Sequence, residues 1–208
     1  MNIGILAVDS NYPNLALMKI SSYHKARGDN VEWYNPLCSY DKVYIAKVFS
    51  FTPDYGYYIN ADQVEKGGTG YDIKKVLLPE IDRMIPDYDL YNVDKNLAYG
   101  FLTRGCPNRC KWCVVPAKEG NITPYMDIAE VSAGRKNVIL MDNNILASNY
   151  AGCTAVFPLN VQLIQCTVPD RQHNVYQIGI QQRQNHLRFR IAKACVVFHN
   201  LRAVLRQH

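Results

Sequence analysis

Three cysteines lie within eight residues of one another, and no other feature of this sequence constrains the fold as strongly. Cys106, Cys110 and Cys113 form a C-x3-C-x2-C array in a segment rich in Gly, Pro and Asn. Three thiols this close cannot all bridge one another, and a polar loop offers no apolar core in which to bury them. The spacing therefore predicts a metal site held by thiolates.

Iron–sulfur and zinc sites make different demands on the surrounding ligands. Iron–sulfur clusters are bound by cysteine thiolates, and three local ligands leave one iron open to a substrate. A structural zinc site usually takes four ligands in two close pairs, and the sequence has no second C-x2-C pair. The spacing therefore favours an iron–sulfur cluster, with zinc and three incidental thiols as the alternatives.

Cysteine usage and the start of the chain both indicate the cytoplasm. Seven cysteines are an odd number, and the four outside the array are scattered, which does not suggest a disulfide framework. The first residues lack the basic segment and long apolar run of a signal peptide. No apolar run approaches the ~20 residues that a membrane span needs. We expect a cytoplasmic protein without a membrane partner.

Residues 1–93 alternate between strand and helix patterns. A helical period begins after Asn14 and ends at Gly28, which is a good stop signal. The strands predicted around it are Ile3–Val8, Asn30–Tyr34 and Asp41–Phe49. This order predicts a small α/β domain with a Rossmann-like parallel layer.

Residues 94–148 place the cysteine array between two further strands. A glycine-rich loop at 67–70 and a short helix over Pro79–Met84 lead into this region. A strand over Leu97–Thr103 then runs directly into the array. A helix is predicted over Asp127–Ser132, and a strand over Val138–Met141 ends at Asp142 and Asn143.

The array resembles the defining motif of the radical S-adenosylmethionine (SAM) superfamily, in which an aromatic residue, here Trp112, precedes the third cysteine. The segment GCPNRCKWCVVP is similar to the cluster loop of the methylthiotransferase and cobalamin-domain branches. The resemblance covers about residues 1–148 and implies the beginning of a partial (β/α) barrel after an N-terminal α/β domain. It implies a [4Fe-4S] cluster on Cys106, Cys110 and Cys113. The reduced cluster would cleave SAM to methionine and a 5′-deoxyadenosyl radical, which abstracts hydrogen from a substrate.

The same resemblance suggests roles for further residues and partners. Trp112 would lie near the adenine of SAM, and Asp142 and Asn143 would hold its amino group, although an Asp-Asn-Asn sequence is equally typical of a turn. A flavodoxin or ferredoxin would supply electrons. The substrate and the catalytic residues stay unknown. Cobalamin is not predicted, because the family's Asp-x-His-x-x-Gly pattern is absent around His24.

Residues 149–208 differ in composition from the rest of the chain. They carry seven Lys or Arg against one acid, Asp170, and eight Gln against one in the preceding 148 residues. Three hypotheses account for this change: a basic module for an acidic partner such as RNA, a C-terminal domain with a helix around Ile191–Leu205, or a shifted reading frame near Ser148. We favour the third, which implies a truncated barrel.

Two other functions remain open. One is an iron–sulfur electron-transfer or structural metal-binding protein without SAM chemistry. The other is an RNA-binding protein that combines the basic tail with a zinc knuckle, although three cysteines without a histidine make a poor knuckle.

Overall fold

The computed structural model describes residues 1–147, 160–166, 173–183 and 186–194. The chain forms two compact units, Met1–Lys95 and the part from Asn96 onward. The described residues contain no helix that is both long enough and apolar enough to cross a membrane.

The N-terminal unit is a mixed α/β structure around a four-stranded parallel sheet. Its strands lie in the order β2-β1-β3-β4. The elements of the unit are β1 (Asn2–Ala7), α1 (Leu15–Ala26), β2 (Asn30–Trp33), β3 (Tyr40–Ala46), β4 (Ala61–Gly67), α2 (Pro79–Asp82) and a 3₁₀ turn (Tyr88–Tyr91). The predicted α/β class is therefore confirmed, and the predicted strands and helices of this unit form within a few residues of the expected bounds.

Helix α1 joins the sheet through its buried face. Asn14 caps the helix, because its side-chain oxygen accepts the N–H groups of Ala16 and Leu17 at 3.0 and 3.3 Å. His24 Nε2 is hydrogen-bonded to the Tyr44 hydroxyl at 3.0 Å, which ties the last turn of α1 to β3. The residues with almost no exposed surface in this unit include Ile3, Ile5, Leu17, Met18 and Val43.

Strand β4 was not predicted from the sequence. Its sequence, ADQVEKG, is largely polar and does not alternate cleanly, because β4 is an edge strand with exposed side chains. Its pairing comes from backbone hydrogen bonds to β3, with an ion pair between Lys42 Nζ and Glu65 Oε2 at 2.7 Å. Gly67, which was predicted to begin a loop, is instead the last residue of this strand.

The second unit contains a strand–helix–strand arrangement that frames the cysteine loop. Strands β5 (Leu97–Gly100) and β8 (Asn137–Leu140) pair in parallel. Between them lie β6 (Thr103–Arg104), α3 (Val115–Lys118), β7 (Thr123–Pro124) and α4 (Ile128–Ser132). Helix α4 packs so closely on β5 that a Cβ at Gly100 would lie 2.5 Å from Val131 Cγ1. Gly100 therefore sets the distance between the helix and the strand.

The predicted strand over Leu97–Thr103 is interrupted. It is divided into β5 and β6, and the N–H groups of Leu102 and Thr103 donate to the side chain of Asp142. Leu102 therefore leaves the strand because a carboxylate, rather than a neighbouring strand, accepts its N–H.

Three strands follow β8 in the described part of the chain. Strand β9 (Asn160–Cys166) pairs in parallel with β8, and β10 (His173–Arg183) and β11 (His186–Ala194) continue the sheet as antiparallel neighbours. The alternative of a C-terminal domain with a helix around Ile191–Leu205 is wrong over 191–194, which belongs to β11, and residues 195–205 lie outside the described residues. The sequence HLRFRI alternates polar and apolar residues, a period-two pattern typical of a strand.

Candidate metal centre

The cysteine loop is closed at its base. Strands β6 and β7 pair as a short antiparallel ladder, with Arg104 opposite Thr123. The next contact joins the Cys106 N–H to the carbonyl of Gly120 at 3.1 Å. The segment between these two residues contains all three cysteines of the array, so the three thiols are confined to one small loop.

Gly105 is required where the two ends of this loop meet. Its φ is +81°, and a Cβ at this position would lie 2.2 Å from the carbonyl oxygen of Asn121. Only glycine combines a positive φ with such a close backbone approach. The residue before the first cysteine is thus specified by the closure of the loop.

Replacing Gly105 with alanine is expected to lower the free energy of unfolding by about 2–4 kcal/mol, from the positive φ and the backbone contact together. Gly120→Ala is the matched control, because Gly120 has a φ of +75° but no atom within 4 Å of the added Cβ. We expect the control to cost only about 1 kcal/mol. Urea unfolding of both variants measures the difference, and equal losses would contradict the steric account.

Glu119 connects three segments at the base of the loop. Its Oε2 accepts the N–H of Gly105 and the Nδ2–H of Asn143, both at 2.9 Å. Its Oε1 lies 3.5 Å from the Arg104 guanidinium, and the side chain is 15% exposed. The carboxylate therefore holds both the start of the cysteine loop and the residue that follows the end of β8.

Asp142 fixes the strand end that leads into the loop. Its Oδ1 accepts the hydroxyl hydrogen of Thr103 at 2.6 Å and the N–H of Leu102 at 3.1 Å. Its Oδ2 also accepts the Leu102 N–H at 3.1 Å. The residue is 2% exposed, and this burial raises the pKa of its carboxyl above the usual aspartate value despite the hydrogen bonds. The carboxylate of Asp142 is thus engaged in hydrogen bonds to the backbone and side chain of the Leu102–Thr103 segment.

Two cations accompany the loop. The Arg104 guanidinium lies 4.1 Å from the ring centroid of Phe101 and 5.0 Å from that of Tyr125. Burial lowers the pKa of Lys118; the neighbouring Glu119 carboxylate opposes this shift, and the positive charge of Arg104 adds to it. Two basic side chains and the carboxylate of Glu119 therefore lie at the base of the cysteine loop.

The cysteines are free and half-buried in the structure. Cys113 donates its N–H to the Cys110 carbonyl at 3.0 Å, which forms a turn between these two residues. Trp112 is 69% exposed. Within the described ranges, no three His, Cys, Asp or Glu side chains are gathered in a way that could hold a metal ion. The fold therefore brings the three cysteines onto one loop without converging them as ligands.

The donor set of this loop fits an iron–sulfur cluster. It offers three thiols and no imidazole, and thiolates are the usual ligands of such clusters. No family model, curated protein or solved structure matches this chain. The prediction that Cys106, Cys110 and Cys113 are the ligands therefore depends on the chemistry of their thiols and on their position in one loop.

Sequence reasoning missed Glu119, Arg104 and Lys118 as members of this site. The signal for Glu119 was present, because it is the single acidic residue between Asp94 and Asp127 in an otherwise basic stretch. Its contacts, however, reach residues that are distant in sequence. Only folding shows that Asn143 meets the same carboxylate as Gly105.

Proposed function

We propose that this chain binds a [4Fe-4S] cluster through Cys106, Cys110 and Cys113 and acts as a radical SAM protein. The observation that carries the proposal is the position of the cysteine loop. It follows β5 at the carboxyl end of a parallel strand pair, with Asn143 at the same end of the neighbouring strand β8. Ligand sites of parallel α/β structures lie at this edge.

Three thiolates for four irons leave one iron without a protein ligand from the loop. When bound, the cluster would supply the electron that cleaves SAM reductively into methionine and a 5′-deoxyadenosyl radical. A flavodoxin or ferredoxin is the proposed electron donor, and the hydrogen-donating substrate is unassigned.

The chain's own residues would bind and orient SAM. Trp112, whose indole is exposed beside Cys113, offers an aromatic face to the adenine. Asn143 offers an amide to the amino group. Asp142 would act indirectly in this scheme, since its oxygens already accept hydrogen bonds from Leu102 and Thr103.

We also propose finer folds for the two units. The parallel order β2-β1-β3-β4 with α1 supports a Rossmann-like N-terminal domain. The β5–α4–β8 succession supports the beginning of a (β/α) barrel. The antiparallel strands β10 and β11 depart from barrel architecture, and they fall in the stretch whose composition changes.

A second candidate function has one observation in its favour. Asp142 is 2% exposed and its oxygens already accept hydrogen bonds within the chain, which disfavours one of the two polar side chains proposed for the SAM amino group. An iron–sulfur protein that transfers electrons or stabilises its own fold, without SAM chemistry, would need no such group.

Anaerobic reconstitution distinguishes the two candidates. We expect about four irons per chain, as a [4Fe-4S] cluster requires, an electron paramagnetic resonance (EPR) spectrum that changes when SAM is added to the reduced protein, and release of 5′-deoxyadenosine. A cluster whose EPR spectrum does not change when SAM is added would support the second candidate. Bound zinc in place of iron, together with salt-sensitive affinity for RNA, would contradict both.

A further inference from the structure

We infer, on the basis of the proposed function, that Glu119 is a positioning residue that orients the side-chain amide of Asn143 toward the amino group of SAM. Glu119 does not itself contact the ligand in this assignment. It acts through the hydrogen bond between its Oε2 and the Nδ2 of Asn143, which measures 2.9 Å.

The amide of an asparagine has one donating and one accepting end, and its orientation decides what it can bind. Because Nδ2 donates to the Glu119 carboxylate, the Oδ1 of Asn143 is the end that can accept from a ligand. The amino group of SAM presents N–H donors, so it requires this orientation. The reversed amide would place Oδ1 against a carboxylate oxygen, which repels it.

The same oxygen of Glu119 also holds the start of the cysteine loop. Oε2 accepts the Gly105 N–H at 2.9 Å, and Gly105 directly precedes the cluster ligand Cys106. One atom therefore links the segment that would carry the cluster to the side chain that would meet the ligand. Charge-assisted bonds of this kind are stronger than neutral ones.

Two substitutions of Glu119 separate its hydrogen bonds from its charge. Glutamine can place its oxygen where Oε2 lies and keep the bonds to Gly105 and Asn143, because only the long 3.5 Å contact to Arg104 is on the other oxygen. Alanine removes all three contacts. Glu80→Gln is the matched control, since Glu80 is an exposed carboxylate of the N-terminal unit.

The measured quantity is the dissociation constant of SAM from the reconstituted 208-residue chain, with the EPR change as the signal of binding. We expect an increase of about tenfold in Glu119→Ala, the usual effect of losing one oriented hydrogen bond to a charged group. Glu119→Gln and Glu80→Gln are expected to stay within about twofold of the wild type. Iron content is expected to be unchanged in all three variants, because the cysteines are intact and the hydrogen bond from the Cys106 N–H to the Gly120 carbonyl still closes the loop without Glu119.

A double-mutant cycle tests whether Glu119 acts through Asn143. Asn143→Ala alone is expected to weaken SAM binding as much as Glu119→Ala, and the double variant is expected to lose no more than either single one. Losses that add in the double variant would overturn the inference, because they would show that Glu119 and Asn143 act on SAM binding independently.

The orientation of the amide can also be measured in the metal-free chain. The side-chain amide protons of Asn143 are expected to show the NMR shift and slow exchange of a bonded donor in the wild type and in Glu119→Gln, but not in Glu119→Ala. If the Glu119→Ala variant binds SAM normally, or if it loses its iron, the inference about Glu119 is wrong while the proposed function stands. If the EPR spectrum of the wild-type cluster does not respond to SAM, both the proposed function and the inference about Glu119 are wrong, even if the NMR result is as expected.

Discussion

Replacing Cys110 with alanine is expected to reduce the iron content of the anaerobically reconstituted chain from about four atoms to fewer than about one. Cys110 is the middle ligand of the array, and its carbonyl also accepts the N–H of Cys113 in the turn between them. Two remaining thiolates cannot hold a four-iron cluster in place. The measurement is iron and sulfide per chain, with the visible absorbance of the cluster as a second readout.

Cys38→Ala is the control for this experiment. Cys38 is also a free, half-buried cysteine, but it belongs to the N-terminal unit and packs beside Tyr40, Val43 and Ile45. We expect the Cys38 variant to keep its iron. Full iron content in the Cys110 variant would contradict the assignment of the loop as the cluster site, and equal loss in both variants would indicate nonspecific iron binding by thiols.

Asp142→Ala is expected to lower the free energy of unfolding by about 3–5 kcal/mol, because it leaves three buried donors without an acceptor. The donors are the N–H groups of Leu102 and Thr103 and the hydroxyl of Thr103. Since these groups fix the strand end that enters the cysteine loop, the same variant is expected to assemble less cluster. Urea unfolding of the metal-free chain measures the stability term by itself.

Asp142→Asn is the matched variant. All three donors reach Oδ1, which asparagine retains, so we expect the free energy of unfolding to fall by less than about 1 kcal/mol.

The raised pKa of Asp142 makes the stability of the chain depend on pH. The folded state binds the proton more tightly, so this contribution to stability is complete below the usual aspartate pKa and is lost as the pH rises through the raised value. Asparagine does not titrate, and its variant is expected to lack this component. Equal losses in the alanine and asparagine variants would show that Oδ1 is not the acceptor that matters.

The predicted elements of the first unit formed because their patterns are local. Asn14 as a cap, Gly28 as a stop and the apolar run after Met1 act within a few residues of one another. Strand β4 escaped prediction because an edge strand needs no apolar face, and its partner β3 supplies the pairing.

The C-terminal stretch contained a local signal that the sequence analysis did not use. A domain with a helix around Ile191–Leu205 was one of three alternatives there, whereas the period-two alternation of HLRFRI favours the observed strand β11. The reading-frame hypothesis for residues 149–208 stays a prediction, and sequencing the locus tests it.

The cysteine array illustrates what a sequence by itself determines about a site. The number, type and spacing of Cys106, Cys110 and Cys113 are properties of the chain, and they specify thiolate chemistry whatever the fold. The tertiary structure alone decided which groups stand around that chemistry. Glu119 accepts hydrogen bonds from Gly105 and Asn143 there, and Asp142 accepts the hydroxyl hydrogen of Thr103. The spacing of the ligands is a property of one short segment of the sequence. These hydrogen bonds instead join residues that are 14 to 39 positions apart, and such residues come together only when β5 pairs with β8.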